Sequence, residues 1–418
     1  MNNFCGLDFG TSNSSIGFVK NNTVHFARFG NKTLIPSSIF FEFDEDAPFF
    51  GHEAIAKYID GKEGRMIWSP KNALGTNLVH EKTQIKDKNI SFKDIISLII
   101  KNMKDTVEAQ SQQEFTNIVV GRPVFYNDKD PKLDKEAQDA MLAILTNLGF
   151  KNIEFAYEPI AAATHYEQSV DEEQIALIVD MGGGTSDFTV AKLNRHETNR
   201  QQKILSIGGI HIAGTNFDRR FSMKSLMPEL GLNCSYKTLE GKWVSMPPTL
   251  HKDLATWHTI GFCYNKKNIA YVRNKIYTSD CPHKFERLLQ VLEHRLGHHL
   301  AIAVEQGKIA LSSHDTSRLL IPDLVPPIDI AIEKKDFDEA IHEDVDKIIS
   351  VIKATIAESQ LSYKKINAVF MTGGASMVPL VRHSIMALLP NAKLVEGDKF
   401  GSVTTGLTLI AHKKFGGA

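Results

Sequence analysis

Ile175-Ala176-Leu177-Ile178 leads into Val179-Asp180-Met181-Gly182-Gly183-Gly184-Thr185-Ser186-Asp187, and Phe188-Thr189-Val190-Ala191-Lys192-Leu193 follows. Apolar runs on either side of the glycines predict a strand, a tight turn and an antiparallel return. Three glycines let backbone N–H groups turn inward without side-chain obstruction, which makes a cavity for a phosphate. Asp180 and Asp187 bring two carboxylates to that turn, where they could hold a divalent metal through its waters or orient an attacking water, and Thr185 adds a hydroxyl. One such turn is as readily a hairpin whose glycines serve steric needs alone. The pattern recurs, however, at the amino terminus. Phe4 to Leu7 is apolar, Asp8-Phe9-Gly10-Thr11-Ser12-Asn13-Ser14-Ser15 repeats the aspartate, glycine and threonine, and Ile16-Gly17-Phe18-Val19 is a return strand. Two copies in one chain are far more specific than one. If each copy begins a similar domain, the two face each other with a nucleotide between them.

A chain of 418 residues suggests two or three domains with ample core. Lys and Arg number 48 against 49 Asp and Glu, a formal charge of −1, so the whole-chain charge gives no argument for nucleic acid or an anionic membrane. No stretch approaches the roughly 20 apolar residues of a membrane span, and the amino terminus lacks a basic region followed by an apolar one. A cytoplasmic location is the expectation. Cys5, Cys234, Cys263 and Cys281 are scattered without a Cys-x-x-Cys pair, which indicates neither a zinc ribbon nor a disulfide framework. His294 and His298, at helical i, i+4 spacing and followed by His299, read as a solvated helix face, since Arg295 stands where a zincin needs glutamate.

Along the chain, Asn21-Asn22 is a turn and Thr23 to Phe29 a third antiparallel strand. In Ile67-Trp68-Ser69-Pro70-Lys71-Asn72, Pro70 biases the residue before it toward an extended form, and Lys71 on its own reads as a solvated charge. Ser91 caps a helix with Phe92, Ile95, Ile96, Ile99, Met103 and Val107 on one face. Ile118-Val119-Val120 is a buried strand. Asp130-Pro131 opens a helix that Gly149 stops. Glu158-Pro159 follows the strand-like Ile153 to Tyr157, and Glu158 either reaches into a cleft or caps the helix Ile160 to Glu167. From about Arg219 to Pro327 the strand-helix rhythm breaks, consistent with an inserted helical subdomain. A long amphipathic helix there carries Leu288, Leu289, Leu292, Leu296, Leu300 and Val304 and continues through Glu305-Gln306-Gly307-Lys308 to Ser312-Ser313. Glu305 and Lys308, three apart, share a face and read as a surface ion pair. Ala368 to Ser376 is another strand running into a glycine turn, Gly373-Gly374, where a flat ligand can approach the backbone.

Together these segments resemble the actin/heat-shock/sugar-kinase ATPase superfamily, and within it the nucleotide-binding domain of the DnaK-type, 70-kilodalton heat-shock chaperones. Asp8 to Ser14 and Asp180 to Asp187 are similar to the two phosphate motifs, Tyr157 to Ala163 to the connecting segment, and Met371 to Ser376 to the adenosine motif. Glu305-x-x-Lys308 resembles the pair that grips ribose and flanks adenine. Gly121-Arg122-Pro123, Leu226-Met227-Pro228 and Gly401-Ser402-Val403-Thr404 resemble most the YegD-type homologues, which lack a substrate-binding domain.

The resemblance implies an α/β, actin-like ATPase fold. Its two lobes each have a ribonuclease-H-like core, and ATP or ADP with magnesium lies in the cleft between them. The amino-terminal lobe would span 1–170, with a smaller subdomain at about 30–115, and the carboxy-terminal lobe 171–418, with the insertion at about 219–327. Asp8 and Asp180 would hold magnesium through waters. Gly10, Thr11, Ser12, Asn13, Gly182, Gly183, Gly184 and Thr185 would surround the phosphates. Lys71 would approach the terminal phosphate, and Glu158 and Asp187, with the Thr185 hydroxyl, would orient the attacking water or the metal shell. Glu305, Lys308, Ser312, Gly373, Gly374, Ala375 and Met377 would contact the nucleoside.

The chain also departs from the family pattern. Met377 replaces an arginine that stacks on the base, and a thioether offers no cation–π attraction. Phe400 replaces an aspartate near the nucleotide, and Pro131 stands near where a relay arginine would couple Pro123 to a substrate domain. The expectation is a protein without its own peptide-binding domain, a slow ATPase serving as a nucleotide-dependent switch for a protein partner or exchange factor. It is expected to be a monomer and to bind neither nucleic acid nor membrane. A non-hydrolysing nucleotide sensor is the alternative. A metabolite kinase and an actin-like filament are less favoured.

Overall fold

The computed structural model describes residues 3–194, 204–397 and 401–416. Phe400 lies outside the described residues. Contacts divide the chain into two compact units, one of Met1–Gly214 with Lys347–Ala418 and one of Thr215–Asp346.

The first unit is built on two sheets of the same design. In the first, strands run in the order Asn152–Tyr157, Asn117–Arg122, Phe4–Phe9, Asn13–Lys20, Thr23–Phe26, and Ile35–Pro36 pairs with Asn13–Lys20. In the second the order is Lys393–Glu396, Ala368–Thr372, Gln174–Met181, Ser186–Leu193, Ile204–Ile210. Each sheet has a three-stranded antiparallel meander on one side and two parallel strands added on the other. The repeated glycine hairpin is thus the centre of a repeated sheet. Asn21 and Asn22, both at positive φ, make the turn into Thr23–Phe26, which ends short of the expected Phe29.

Period-two alternation divides the first sheet between two cores. Cys5, Leu7, Phe9, Ile118 and Val120 pack with Ile95, Ile99, Met103, Met141 and Leu145 of the helices Phe92–Ser111 and Pro131–Asn147. Phe4 and Val119 point the other way, into a core with Ala161, Ala162, Val403 and Leu407, and Ala176, Ile178, Ala368 and Phe370 of the second sheet enter that same core. The helices Glu158–Glu167 and Ser402–Phe415 therefore lie between the two sheets. A layer this thin needs small residues. A side chain at Gly406 would collide with the Ala161 backbone, and one at Gly6 or Gly17 with Thr408.

Local signals explain the helix starts. Ser91 and Asp94 form a reciprocal capping box, with Asp94 N–H to Ser91 Oγ at 3.1 Å and Ser91 N–H to Asp94 Oδ2 at 3.3 Å. Asp130 caps the helix Pro131–Asn147 by accepting from the Lys132 and Leu133 N–H groups, and Gly149, at φ +91°, ends it.

The second unit holds the helices Thr249–Leu254, Lys266–Ile276, Pro282–Glu293 and Gly297–Leu311, and two hairpins, Ser235–Lys237 with Trp243–Ser245 and Thr316–Ile321 with Ile328–Glu333. The single long helix expected over Leu288 to Ser312 is two helices. Arg295 takes a left-handed conformation (φ +56°) and breaks it. The Tyr264 hydroxyl donates to the Arg295 carbonyl (3.1 Å) and accepts from the Gly297 N–H (2.9 Å), so a tertiary contact fixes the bend. His294 and His298 fall on opposite sides of this break, and His298 is buried beside Trp257 instead of lying on a solvated face. Among the described residues no helix is long and apolar enough to cross a membrane.

Candidate nucleotide and metal site

Within the first unit, the two glycine turns press on each other. A methyl group placed on Gly184 would lie 2.6 Å from Thr11 Oγ1, and one on Gly183 would collide with Ser12. Backbone carbonyls of both turns are engaged elsewhere. Ser37 binds the first turn twice, Oγ donating to the Gly10 carbonyl (2.7 Å) and N–H to the Ser12 carbonyl (2.9 Å). In the second, Gly182 N–H donates to the Thr185 carbonyl (3.1 Å) and the Gly182 carbonyl accepts from Gly214 N–H (3.2 Å). These bonds fix the conformation of both turns, the Gly182 N–H itself being spent on the Thr185 carbonyl.

The aspartates of the two motifs end equivalent strands. Asp8 stands in register with Ser15 across the first hairpin, and Asp180 with Asp187 across the second. Asp180, Asp187, Glu158 and Lys71 are all buried. Lys71 Nζ donates to Glu158 Oε1 at 2.8 Å, which brings a 3-10 turn at Pro70–Ala73 to the first residue of the helix Glu158–Glu167. Glu158 therefore reaches a partner outside its own helix. Gly121 leaves room for it, since a side chain there would meet Glu158 Cγ at 3.1 Å. The residue before Pro70 departs from the extended form expected of it. Ser69 is left-handed (φ +50°), because its N–H is bound to the Ser37 carbonyl while its carbonyl accepts from Asn72 and starts the turn that delivers Lys71.

Four carboxylates, Asp8, Asp180, Asp187 and Glu158, here surround one ammonium group, and the electrostatics record the imbalance. Burial and the Glu158 charge push Asp8 up to about 7, with Lys71 opposing. Burial, Glu158, Asp187 and Asp8 raise Asp180 well above the usual carboxylate range. Burial and Glu158 push Asp187 up to about 7 even though the Val124 N–H, the Thr185 hydroxyl and Lys71 all favour its charge. The Val124 bond, to Asp187 Oδ1, is 2.7 Å long. For Lys71, burial works against the charge, but Glu158, Tyr126 and Asp8 outweigh it and hold the ammonium protonated. With every group ionised, four carboxylates and one lysine leave a formal charge of −3 (4 minus 1). Such a donor set suits a divalent cation: all-oxygen, hard, and short of positive charge. A bare phosphate would be repelled, whereas a metal-complexed one is not.

Two neighbours, Val124 and Tyr126, had no signal of their own in the sequence. Val124 supplies only a backbone N–H, and Tyr126 is a buried hydroxyl pushed up to about 12 by burial, with the Lys71 charge opposing. Arg122 is buried with its guanidinium bound to Asp134 (3.0 and 3.1 Å) and 5.2 Å from the ring centroids of both Tyr126 and Tyr157. Pro131, the first residue of the neighbouring helix, lies just before Asp134.

The glycine turn after Ala368–Thr372 joins the second sheet directly. Gly373 has φ +81°, and a side chain there would collide with the Met181 backbone. Ser376 Oγ closes the turn on the Gly373 carbonyl (2.7 Å), Ala375 is buried, Gly374 exposed and Met377 half-buried.

Glu305, Lys308 and Ser312 belong to the second unit. Lys308 Nζ pairs with Asp218 Oδ1 at 2.7 Å, both side chains largely buried, so the ion pair is not the surface Glu305–Lys308 pair that spacing suggests. The neighbouring helix Gly214–Ser225 supplies Asp218, a partner no local pattern announces. Burial, set against Lys308, raises Glu305. Ser312 donates back to the Lys308 carbonyl (3.1 Å).

The model of one protein family, described as Hsp70 protein, matches residues 4–226 and 287–413, well over half of the chain. Members of that family are generally ATPases that bind ATP or ADP with magnesium. Both glycine hairpins lie inside the matched residues, and the duplicated sheets are the architecture that the actin-like fold requires. The chain belongs to the Hsp70 family and has the actin-like ATPase fold.

Proposed function

We propose that this chain binds a magnesium–nucleotide complex at the paired glycine turns, hydrolyses ATP slowly, and acts through the nucleotide state as a conformational switch for a protein partner. The observation that carries the reading is the excess of carboxylates over Lys71 between two turns fit for phosphate. Asp8 and Asp180 would hold the cation, and Gly10 to Asn13 with Gly182 to Thr185 the phosphates. When bound, the ion supplies the positive charge that lets phosphates enter a carboxylate-rich site and offsets charge in the transition state.

The chain's own groups do the rest by position. Glu158 holds the Lys71 ammonium charged and aimed, so it can meet the transferred phosphoryl oxygens without reorganisation. Asp187 is held in place by the Val124 N–H on Oδ1 and by the Thr185 hydroxyl, a fixed carboxylate that could accept a further hydrogen bond from an attacking water. Gly373, Gly374, Ala375 and Met377 are proposed to lie against the nucleoside. The half-buried thioether of Met377 favours a second reading, a nucleotide sensor with negligible turnover, since it gives the base no cation–π attraction. Single-turnover hydrolysis with magnesium separates the two. Slow turnover abolished by Lys71→Ala and by Asp180→Asn supports the ATPase switch, and tight binding without turnover in every variant overturns it.

A further inference from the structure

Cys234 and Cys281 are 47 positions apart (281 minus 234), yet the second unit brings them together. The segment Thr278 to Cys281 zips antiparallel onto the hairpin strand Ser235–Lys237, with Tyr236 bridged to Ser279, Lys237 N–H to the Thr278 carbonyl at 2.9 Å and Asp280 N–H to the Ser235 carbonyl at 3.0 Å. Continuing that register sets Cys234 opposite Cys281. The two sulfurs and a carboxylate oxygen of Asp280 all lie within 4.8 Å of one another.

Each donor sits on anchored backbone. Cys234 N–H is bound to the Gly231 carbonyl (3.2 Å) and its carbonyl to Met246 N–H (2.9 Å). Ser235 N–H donates to Asp280 Oδ1 (2.9 Å), which orients the carboxylate and leaves its second oxygen available. Cys281 is the residue before the helix Pro282–Glu293, and its carbonyl accepts from the Lys284 N–H (3.1 Å). The nearby cations are already committed, Lys284 and Arg287 both pairing with Glu229 at 3.2 and 3.1 Å.

We propose that Cys234, Cys281 and Asp280 form a three-donor site for a thiophilic divalent cation of the zinc class, with the fourth position left to water. Thiolate sulfurs at about 2.3 Å and a carboxylate oxygen at about 2.0–2.2 Å from one ion stand roughly 3.5–4 Å apart, so no pair of donors has to close by more than about 1.3 Å. Both thiols give up their protons to solvent as the two metal–sulfur bonds form. The third donor distinguishes this site from a disulfide: a cystine has no use for a carboxylate held by its own backbone bond. A bound ion would fasten the hairpin Ser235–Ser245 to the start of the helix Pro282–Glu293.

The test uses the full chain, reduced and freed of metal, titrated with cadmium chloride and separately with zinc chloride. The expected result is a thiolate-to-cadmium charge-transfer band that saturates at one ion per chain, lost in Cys234→Ser and Cys281→Ser and at least about tenfold weaker in affinity in Asp280→Asn. In the unmutated protein, zinc should slow alkylation of Cys281 and a chelator should restore it, a readout that does not depend on how the variants fold. Absence of the band and of protection overturns the proposal. So does a mass two hydrogens light after purification, with Cys234 and Cys281 recovered as one cross-linked peptide.

Discussion

Asp180 and Asp187 stand directly opposite each other in the register of the second hairpin, both buried, where the first hairpin pairs Asp8 with Ser15. Like charges at facing positions of a ladder oppose each other, so folding here keeps protons that an unfolded chain releases. An unfolded aspartate ionises near pH 4, whereas Asp8 and Asp187 in the fold are pushed up to about 7. Their contribution to stability is complete below about pH 4 and is lost as pH rises through about 7. Removing one carboxylate should therefore flatten the pH dependence. In chelator, the difference in melting temperature between Asp187→Asn and the native chain should favour the variant more at pH 8 than at pH 5. Equal differences at the two pH values would refute this.

Magnesium should act in the opposite direction with pH. A cation that binds the ionised carboxylates stabilises the fold most where all are deprotonated, so the rise in melting temperature on adding magnesium should be larger at pH 8 than at pH 5. Asp180→Asn should shrink that rise. A rise independent of both pH and Asp180 would place the ion elsewhere.

Lys71→Ala leaves Glu158 buried among three other carboxylates. Breaking a buried pair from one side costs about 3–5 kcal/mol, and adding Glu158→Gln should recover part of that loss by removing the orphaned charge. Urea denaturation of the two single variants and the double variant at pH 8 measures the coupling. Strict additivity would mean that the two side chains do not act as a pair.

Gly184→Ala inserts a methyl group 2.6 Å from Thr11 Oγ1 and 3.2–3.3 Å from its carbons. The two turns must then part, and binding of a fluorescent ATP analogue should weaken at least about tenfold, a cost of about 1.4 kcal/mol. Thr11→Ala in the same chain should restore part of it. Undiminished affinity in Gly184→Ala would show that contact between the turns is irrelevant to binding.

Gln112 ends the helix Phe92–Ser111 in the left-handed region (φ +57°) and is exposed. That conformation costs an L-residue about 1–2 kcal/mol, and glycine's extra freedom in the unfolded chain costs about 0.5–1 kcal/mol. Gln112→Gly should therefore stabilise by about 0.5–1 kcal/mol. A loss of stability on denaturation would show that the Gln112 side chain contributes more than its strain costs.

Local chemistry was legible in the sequence. The two hairpins, the Ser91 cap and the Asp130-Pro131 start are each set by residues within a few positions, and they stand where the pattern puts them. Pairings over long separations were not. Nothing near Asp187 announces the Val124 N–H, 63 positions away, and nothing near Lys308 announces Asp218. The approach of Lys71 to Glu158 followed from family resemblance and not from spacing. The break at Arg295 escaped because the apolar periodicity runs through it unbroken; a tyrosine 31 positions earlier imposes the bend. Four cysteines without a local motif gave no sign that a strand register would align two of them.

The helix Ser402–Phe415 fills a glycine-floored trench on the first sheet, with the Ser15 and Thr404 hydroxyls bonded across 389 positions of sequence. The contact is thus strongly non-local: a sheet near Ser15 is completed by a helix 389 positions further along. Closing so long a loop must precede the burial that rewards it, so this layer is expected to form late in refolding.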